Sequence, residues 1–210
     1  MEKGYALILA WPDTKCKQAG AWYDPIMKQF RINKSGYYRI GHAAVVLIHG
    51  KTGKCHYFDF GRYHAPVGHG RVRSELTDHD LVLSSQIRFD EFRIPNNLKD
   101  LLSEIQDKEE CHGEGKLAAG ITEVDFNKSL AKAIEMQDRE FIPYGPFVKN
   151  GTNCSRFVQH VAVSGLPFGW MKFSFKYPIM ITPTPKWNTI ICASFLKKLV
   201  RKQEEIYELT

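Results

Sequence analysis

Apolar residues run unbroken from Tyr5 to Trp11 and stop at Pro12-Asp13, a pattern that predicts a buried strand ended by a turn. From Tyr37 to Ile48 aromatic and β-branched residues dominate, Gly50-Lys51-Thr52-Gly53 supplies a turn, and Cys55 to Phe60 resumes the strand pattern, so the two segments predict a hairpin. Leu117 to Glu123 and Ser84 to Ile94 predict further strands. Helical spacing appears from Asn97 to Gln106, where Leu98, Leu101, Leu102 and Ile105 follow a cap at Asn96 or Asn97. It appears again after Asp125, through Phe126, Leu130, Ala133, Ile134 and Gln137, and in CSRFVQHVAVSG, which has Thr152 or Asn153 as N-cap and Gly165 as a stop. A short helix around Trp22 to Phe30, with Asp24 as cap and Pro25 at its first position, and a final amphipathic helix from about Asn188 to Glu205 complete the set.

Two stretches read as irregular. Residues 61–80 are rich in Gly, His and Arg and predict a loop; Leu166 to Trp187 holds Pro167, Pro178, Pro183 and Pro185 and predicts an extended segment. With no internal repeat and no linker, residues 1–210 are expected to form one domain.

Composition narrows the function. At 43% hydrophobic and 25% charged residues the chain has the balance of a globular protein, neither disordered nor membrane-embedded. The formal charge of +6 is partly local, since Lys197, Lys198, Arg201 and Lys202 crowd the last helix, and no nucleic-acid partner is expected from so mild an excess. The five cysteines are widely spread, without a CxxC pair, which favours a reducing compartment over a disulfide framework. The apolar start is too short for a signal sequence and no stretch reaches spanning length, so a cytoplasmic protein without a membrane span is expected.

The chemistry concentrates on Cys154. It falls in the first turn of its helix, where the dipole favours a thiolate, and an imidazole nearby would complete a nucleophile. Among eight histidines, His42 is the best placed to supply it, because it follows Gly41 and precedes the apolar run Ala43 to Ile48 on a rigid strand. In CHYFDFGRY, period-two alternation puts Cys55, Tyr57 and Asp59 on one face and His56, Phe58 and Phe60 on the other. An Asp between two Phe is costly without a partner, so Asp59 is favoured over His56 as a third group orienting His42; an ion pair of Asp59 with Arg62 is the competing explanation. Arg62, Arg71 and Arg73 flank the glycines of GRYHAPVGHGRVRS and could grip a carboxylate or phosphate of a substrate. His64, His69 and His79, with Asp78 and Asp80, lack zinc spacing, and adjacent Cys111-His112 reads as a turn, so neither metal nor cofactor is expected.

The tracts GHAAVVLI at 41–48 and YGPFVKNGTNCSRFVQHV at 144–161 together resemble the two catalytic motifs of NlpC-like cell-wall endopeptidases and their permuted relatives. Tyr144, Gly145, Asn153, Cys154, Ser155, Phe157 and Val158 follow the family pattern, except that many cell-wall enzymes carry Asp where this chain has Asn153. Because His42 precedes Cys154, the order resembles the permuted branch that includes YiiX-like peptidases and lecithin retinol acyltransferase-like proteins. The resemblance implies an α+β, circularly permuted papain-like fold, with an antiparallel sheet packed against helices and the nucleophile at a helix N-terminus. It also implies that the third polar group comes from the strand after His42 and that Tyr144 lends its hydroxyl to the site or lines it.

The expectation is therefore a thiol hydrolase, a cysteine peptidase or amidase acting on a peptide, amide or acyl-lipid substrate. Acyl transfer or lipid ester cleavage by the same dyad, and anion binding on an inactive scaffold, are the alternatives.

Overall fold

The computed structural model describes residues 2–17, 33–34, 37–38, 41–91, 95–111, 113–178 and 182–192. Strand β1 (Lys3–Trp11) is buried at every position after Lys3. Side chains alternate between faces along a strand, so burial throughout requires that both faces of the sheet be covered. Short strands β2 (Cys16–Lys17), β3 (Asn33–Lys34) and β4 (Tyr37–Tyr38) make a small antiparallel sheet in the order β2-β4-β3. Strands β5 (His42–His49), β6 (Cys55–Gly61), β7 (His69–Ser74), β8 (Ala118–Asp125) and β9 (Ile142–Pro143) join β1 in a six-stranded sheet of order β8-β1-β5-β6-β7-β9, every pair antiparallel. The helices are α1 (Leu98–Asp107), α2 (Phe126–Gln137), α3 (Cys154–Gly165) and α4 (Trp170–Lys176).

The layers follow from the alternation. Ala6, Ile8, Val45, Leu47, Phe58 and Phe60 face α2, α3 and Phe175 of α4. Leu7, Leu9, Val46, Ile48 and Tyr57 face Leu101 and Ile105 of α1, together with Leu81 and Ile87. The expected hairpin forms with Ala44 opposite Asp59, and its turn depends on Gly53, whose φ of 71° disfavours any side chain. Asp125 caps α2 by accepting from Lys128 N, and Asn153 caps α3 by accepting from Arg156 N at 2.9 Å. The α+β architecture, an antiparallel sheet packed against helices with a thiol at a helix N-terminus, is as expected.

Four segments differ from expectation. The loop expected over 61–80 contains β7, because the polar Arg73 finds a buried carboxylate across the ladder on β6. Residues 82–91 form no strand apart from the isolated bridge Phe89↔Pro95; the Glu104 carboxylate accepts from Ser84 N and Ser85 N, and Gly53 O accepts from Ile87 N, so the backbone is satisfied without a ladder. The segment expected to be extended after Leu166 contains α4, which Pro167 and Pro178 bracket rather than interrupt. The strand expected from Tyr37 to Ile48 is split: Tyr37–Tyr38 belongs to the small sheet, and Gly41 at φ 77° turns the chain so that His42 opens β5. Residues 185–192 are helical, beginning at Pro185 and so before Asn188, as suits a proline at a first helical position. The helix expected near Trp22 to Phe30 and the end of the last helix lie outside the described residues.

Helices α2 and α3 meet closely at Gly165, where an added methyl would overlap Ser129 Oγ and lie 2.7 Å from Asp125 O. Gly165→Ala should therefore destabilise the fold by about 1–3 kcal/mol in urea denaturation. A midpoint equal to that of the wild type would mean that the helices do not approach so closely.

Candidate active site

His42 and Asp59 come together because of strand register. Ala44 lies opposite Asp59, which makes His42 the diagonal neighbour of Asp59 on the same face. His42 Nε2 is 3.2 Å from Asp59 Oδ2. Arg73 stands directly across from Asp59 on β7, and its Nε and Nη2 donate to the two carboxylate oxygens at 3.0 and 2.7 Å. Tyr63 OH and Tyr57 OH donate to Oδ2 at 3.1 and 3.3 Å. The Arg73 guanidinium lies 3.5 Å from the centre of the Tyr63 ring, and its Nη2 also donates to Glu110 O at 2.8 Å. Burial alone would raise the Asp59 carboxyl, but the hydrogen bonds from His42 and Arg73 and their charges outweigh it and hold the group at about 2.

Cys154 opens α3, 6% exposed, on the side of the sheet where that helix packs. The neighbours that favour its charged form are the His42 imidazole first and then the backbone N–H of Ala43. With Nε2 committed to Asp59, Nδ1 is the nitrogen left for the thiol. Burial disfavours both charged forms, yet bonds to Asp59 and Cys154 lift His42 to about 9, and His42 draws Cys154 below the ordinary thiol value. Both shifts act toward an imidazolium–thiolate pair. Burial pushes Cys16, Cys55 and Cys192 up to about 12 and Cys111 to about 11, so Cys154 alone among the five is displaced toward thiolate.

The other candidates fall elsewhere. His56 points to the opposite face and pairs with Glu75 at 3.0 Å, away from His42. The guanidinium on Asp59 belongs to Arg73 rather than Arg62. Arg71 forms a bidentate pair with Asp78 at 2.8 and 2.7 Å, so Arg71 and Arg73, expected as substrate grips, are engaged within the fold. Arg62 lies over the Tyr144 ring at 5.3 Å, and Tyr144 stacks on Phe60, which stacks on Phe157 of α3. Cys111 is buried beside Tyr57, and His112 lies outside the described residues. Among the described residues no group of three or more His, Cys, Asp or Glu could hold a metal ion.

Three neighbours of the site were not singled out from the sequence. Tyr57 shares the alternation parity of Asp59 and was legible in principle. Tyr63 has a subtler sign in Gly61, where a side chain would overlap the Tyr63 ring. Cys16, whose Sγ donates to Gly41 O at 3.4 Å, carries no local sign at all.

Asp59→Asn would leave Arg73 buried without a counter-charge and should cost about 3–5 kcal/mol in denaturant unfolding. The same substitution should move the His42 ring down from about 9, as read by NMR titration. For the wild type, the folded-state pKa of Asp59 is depressed, so its contribution to stability is present above about pH 4 and lost as pH falls toward 2, roughly 2 kcal/mol in all. Acid unfolding of Asp59→Asn should lack that component; matching slopes for both proteins would remove Asp59 from the account.

A family model described as type VI secretion system effector TseH-like matches residues 6–167, a span that includes His42, Asp59, Arg73 and Cys154. The chain is also similar to the crystal structure of the type VI secretion system effector TseH, at 21% identity over 77% of this chain and 75% of that chain, with a TM-score of 0.49. No curated protein matches it. By the extent of the family match, the chain belongs to the type VI secretion system effector TseH-like family.

Proposed function

We propose that this chain is a cysteine-nucleophile hydrolase that cleaves an amide or peptide bond, on a circularly permuted papain-like scaffold, and that it acts as a type VI secretion system effector. The observation that carries the chemistry is His42 Nε2 held on a buried carboxylate while Cys154 stands at a capped helix N-terminus, with His42 the neighbour that draws the thiol below its ordinary value. The order of the two residues along the chain and the resemblance of their flanking tracts support the permuted scaffold. Membership in the TseH-like family supports the role of effector.

In this reading the Cys154 thiolate attacks the carbonyl carbon of the substrate. The oxyanion that develops is met by the backbone N–H of Cys154 at the start of α3, where the helix dipole adds to the hydrogen bond. His42, charged in the resting pair, gives its Nδ1 proton to the departing amine as the C–N bond breaks, leaving an acyl thioester on Cys154. Water then attacks the thioester while His42 takes its proton, and the carboxylic acid and the thiolate–imidazolium pair are released. Asp59 and Arg73 do not touch the substrate; they hold the ring in place and keep its charge favourable. Tyr144 and Arg62, stacked together beside Phe60, are the residues of the expected set left to line the substrate approach.

Iodoacetamide at neutral pH should label Cys154 well ahead of the other four thiols, with a rate already on its plateau where a free thiol is still climbing. In His42→Ala the labelling should slow and its pH midpoint should move upward past the ordinary thiol value. Equal labelling of all five cysteines would sink the mechanism. Cys154→Ala should lower peptide or amide turnover by about a thousandfold or more while leaving the unfolding midpoint nearly unchanged.

A further inference from the structure

Helix α4 carries its aromatic residues on the outside. Phe175 is buried at 1% exposure, whereas Phe168, Trp170, Phe173 and Tyr177 are exposed at 103%, 81%, 54% and 56%. Trp170 stacks on Phe173 at 6.0 Å, and Phe173 meets Tyr177 at 4.9 Å, so these three rings form one continuous patch, with Phe168 exposed two residues before Trp170. The turn before the helix stands clear of the body: a side chain added at Gly169 would meet nothing within 4 Å. Leaving such large apolar groups in water is costly, and contiguous patches of this kind mark sites of contact.

Along the chain, the charge flanking these rings has one sign. From Phe141 to Gln203 the chain holds nine Lys and Arg and no Asp or Glu. Two of these, Lys172 and Lys176, lie on α4 itself; Lys172 Nζ ties the turn down by donating to Leu166 O at 3.0 Å, and Lys176 lies beside the Tyr177 ring at 5.5 Å. The patch begins at Phe168, just past the residues 6–167 matched by the family model.

We propose that Phe168 and α4 form a docking surface for an anionic lipid bilayer, in which Phe168, Trp170, Phe173 and Tyr177 enter the headgroup boundary while Lys172 and Lys176 meet lipid phosphates. A bilayer suits the patch better than a protein partner does. The rings are exposed to half or more of their surface, and a protein would have to offer separate pockets for four of them together with matching acids. A fluid interface accepts protruding aromatic rings as they come, and it carries the complementary charge. The side-chain amide of Gln159 on α3 donates to Phe175 O, so the docking helix is fixed to the same helix that begins with Cys154. The proposal does not depend on thiol chemistry.

The test is co-sedimentation of the full chain with vesicles of pure phosphatidylcholine and of phosphatidylcholine mixed with phosphatidylglycerol. The wild type should pellet with the anionic vesicles, weakly or not at all with the neutral ones, and less as salt is added. Lys172→Gln and Lys176→Gln should each weaken the anionic binding about fivefold. Phe168→Ser combined with Trp170→Ser should weaken it by about tenfold or more. Cys154→Ala should bind as the wild type does, which separates this result from the fate of the hydrolase reading. Circular dichroism and the rate of Cys154 alkylation establish that the surface variants remain folded. Failure of the wild type to pellet with anionic vesicles overturns the proposal, as does undiminished binding by the Phe168→Ser, Trp170→Ser variant. So does a concentration-dependent oligomer of the wild type, seen by sedimentation velocity, that this variant dissolves without any vesicle binding; the patch would then join copies of the chain.

Discussion

A carboxylate with no exposed surface in the middle of a sheet is tolerable only if a cation touches it, because the cost of removing its water is several kcal/mol. Asp59 meets this condition through Arg73, placed directly opposite on the next strand. The requirement reaches well beyond the pair. It draws a Gly- and Arg-rich segment into the sheet as β7, sets Tyr63 against the guanidinium, and ties Glu110 O to the same group. It also leaves one edge of the carboxylate facing His42, so the polar group that is hardest to bury becomes the one that orients the imidazole.

The sheet side and the helix side of the site meet where the ladder ends. Strand β5 pairs with β6 only from Ala44 onward, although β5 begins at His42. Beyond that point the Ala43 N–H is available to the thiol, and the start of α3 brings Cys154 to it. Neither partner is activated alone. The helix N-terminus and the imidazole act on the thiol together against its burial, and the imidazole owes its own basicity to Asp59. The line of influence therefore runs from Arg73 through Asp59 and His42 to Cys154.

The two sides of α3 face different tasks. Toward the sheet it presents Phe157, Val158 and Val161 to the core and carries the thiol at its first residue. Through Gln159 it also holds α4, whose exposed aromatic rings lie past the residues 6–167 that the family model matches. Among the described residues no helix is long and apolar enough to cross a membrane.

What the residues determined by themselves was the local part. The apolar run of β1, the hairpin around Gly53, the capped helix beginning at Cys154 and the shared face of Tyr57 and Asp59 each follow from interactions a few residues apart, which periodicity, turn chemistry and capping report directly. That a thiolate and an imidazole should be sought at Cys154 and His42 was legible in the same way, helped by the resemblance of their flanking tracts. The tertiary structure alone decided the partners. Arg73 looked like a surface grip in a loop and is a buried counter-ion in a strand, because its stabilisation comes from a carboxylate on a neighbouring strand and leaves no periodic trace. For the same reason Ser84 to Ile87, strand-like in composition, is held in place by Glu104 and Gly53 instead of a ladder. Contacts between segments far apart in the chain depend on register and packing, and those exist only once the sheet has formed.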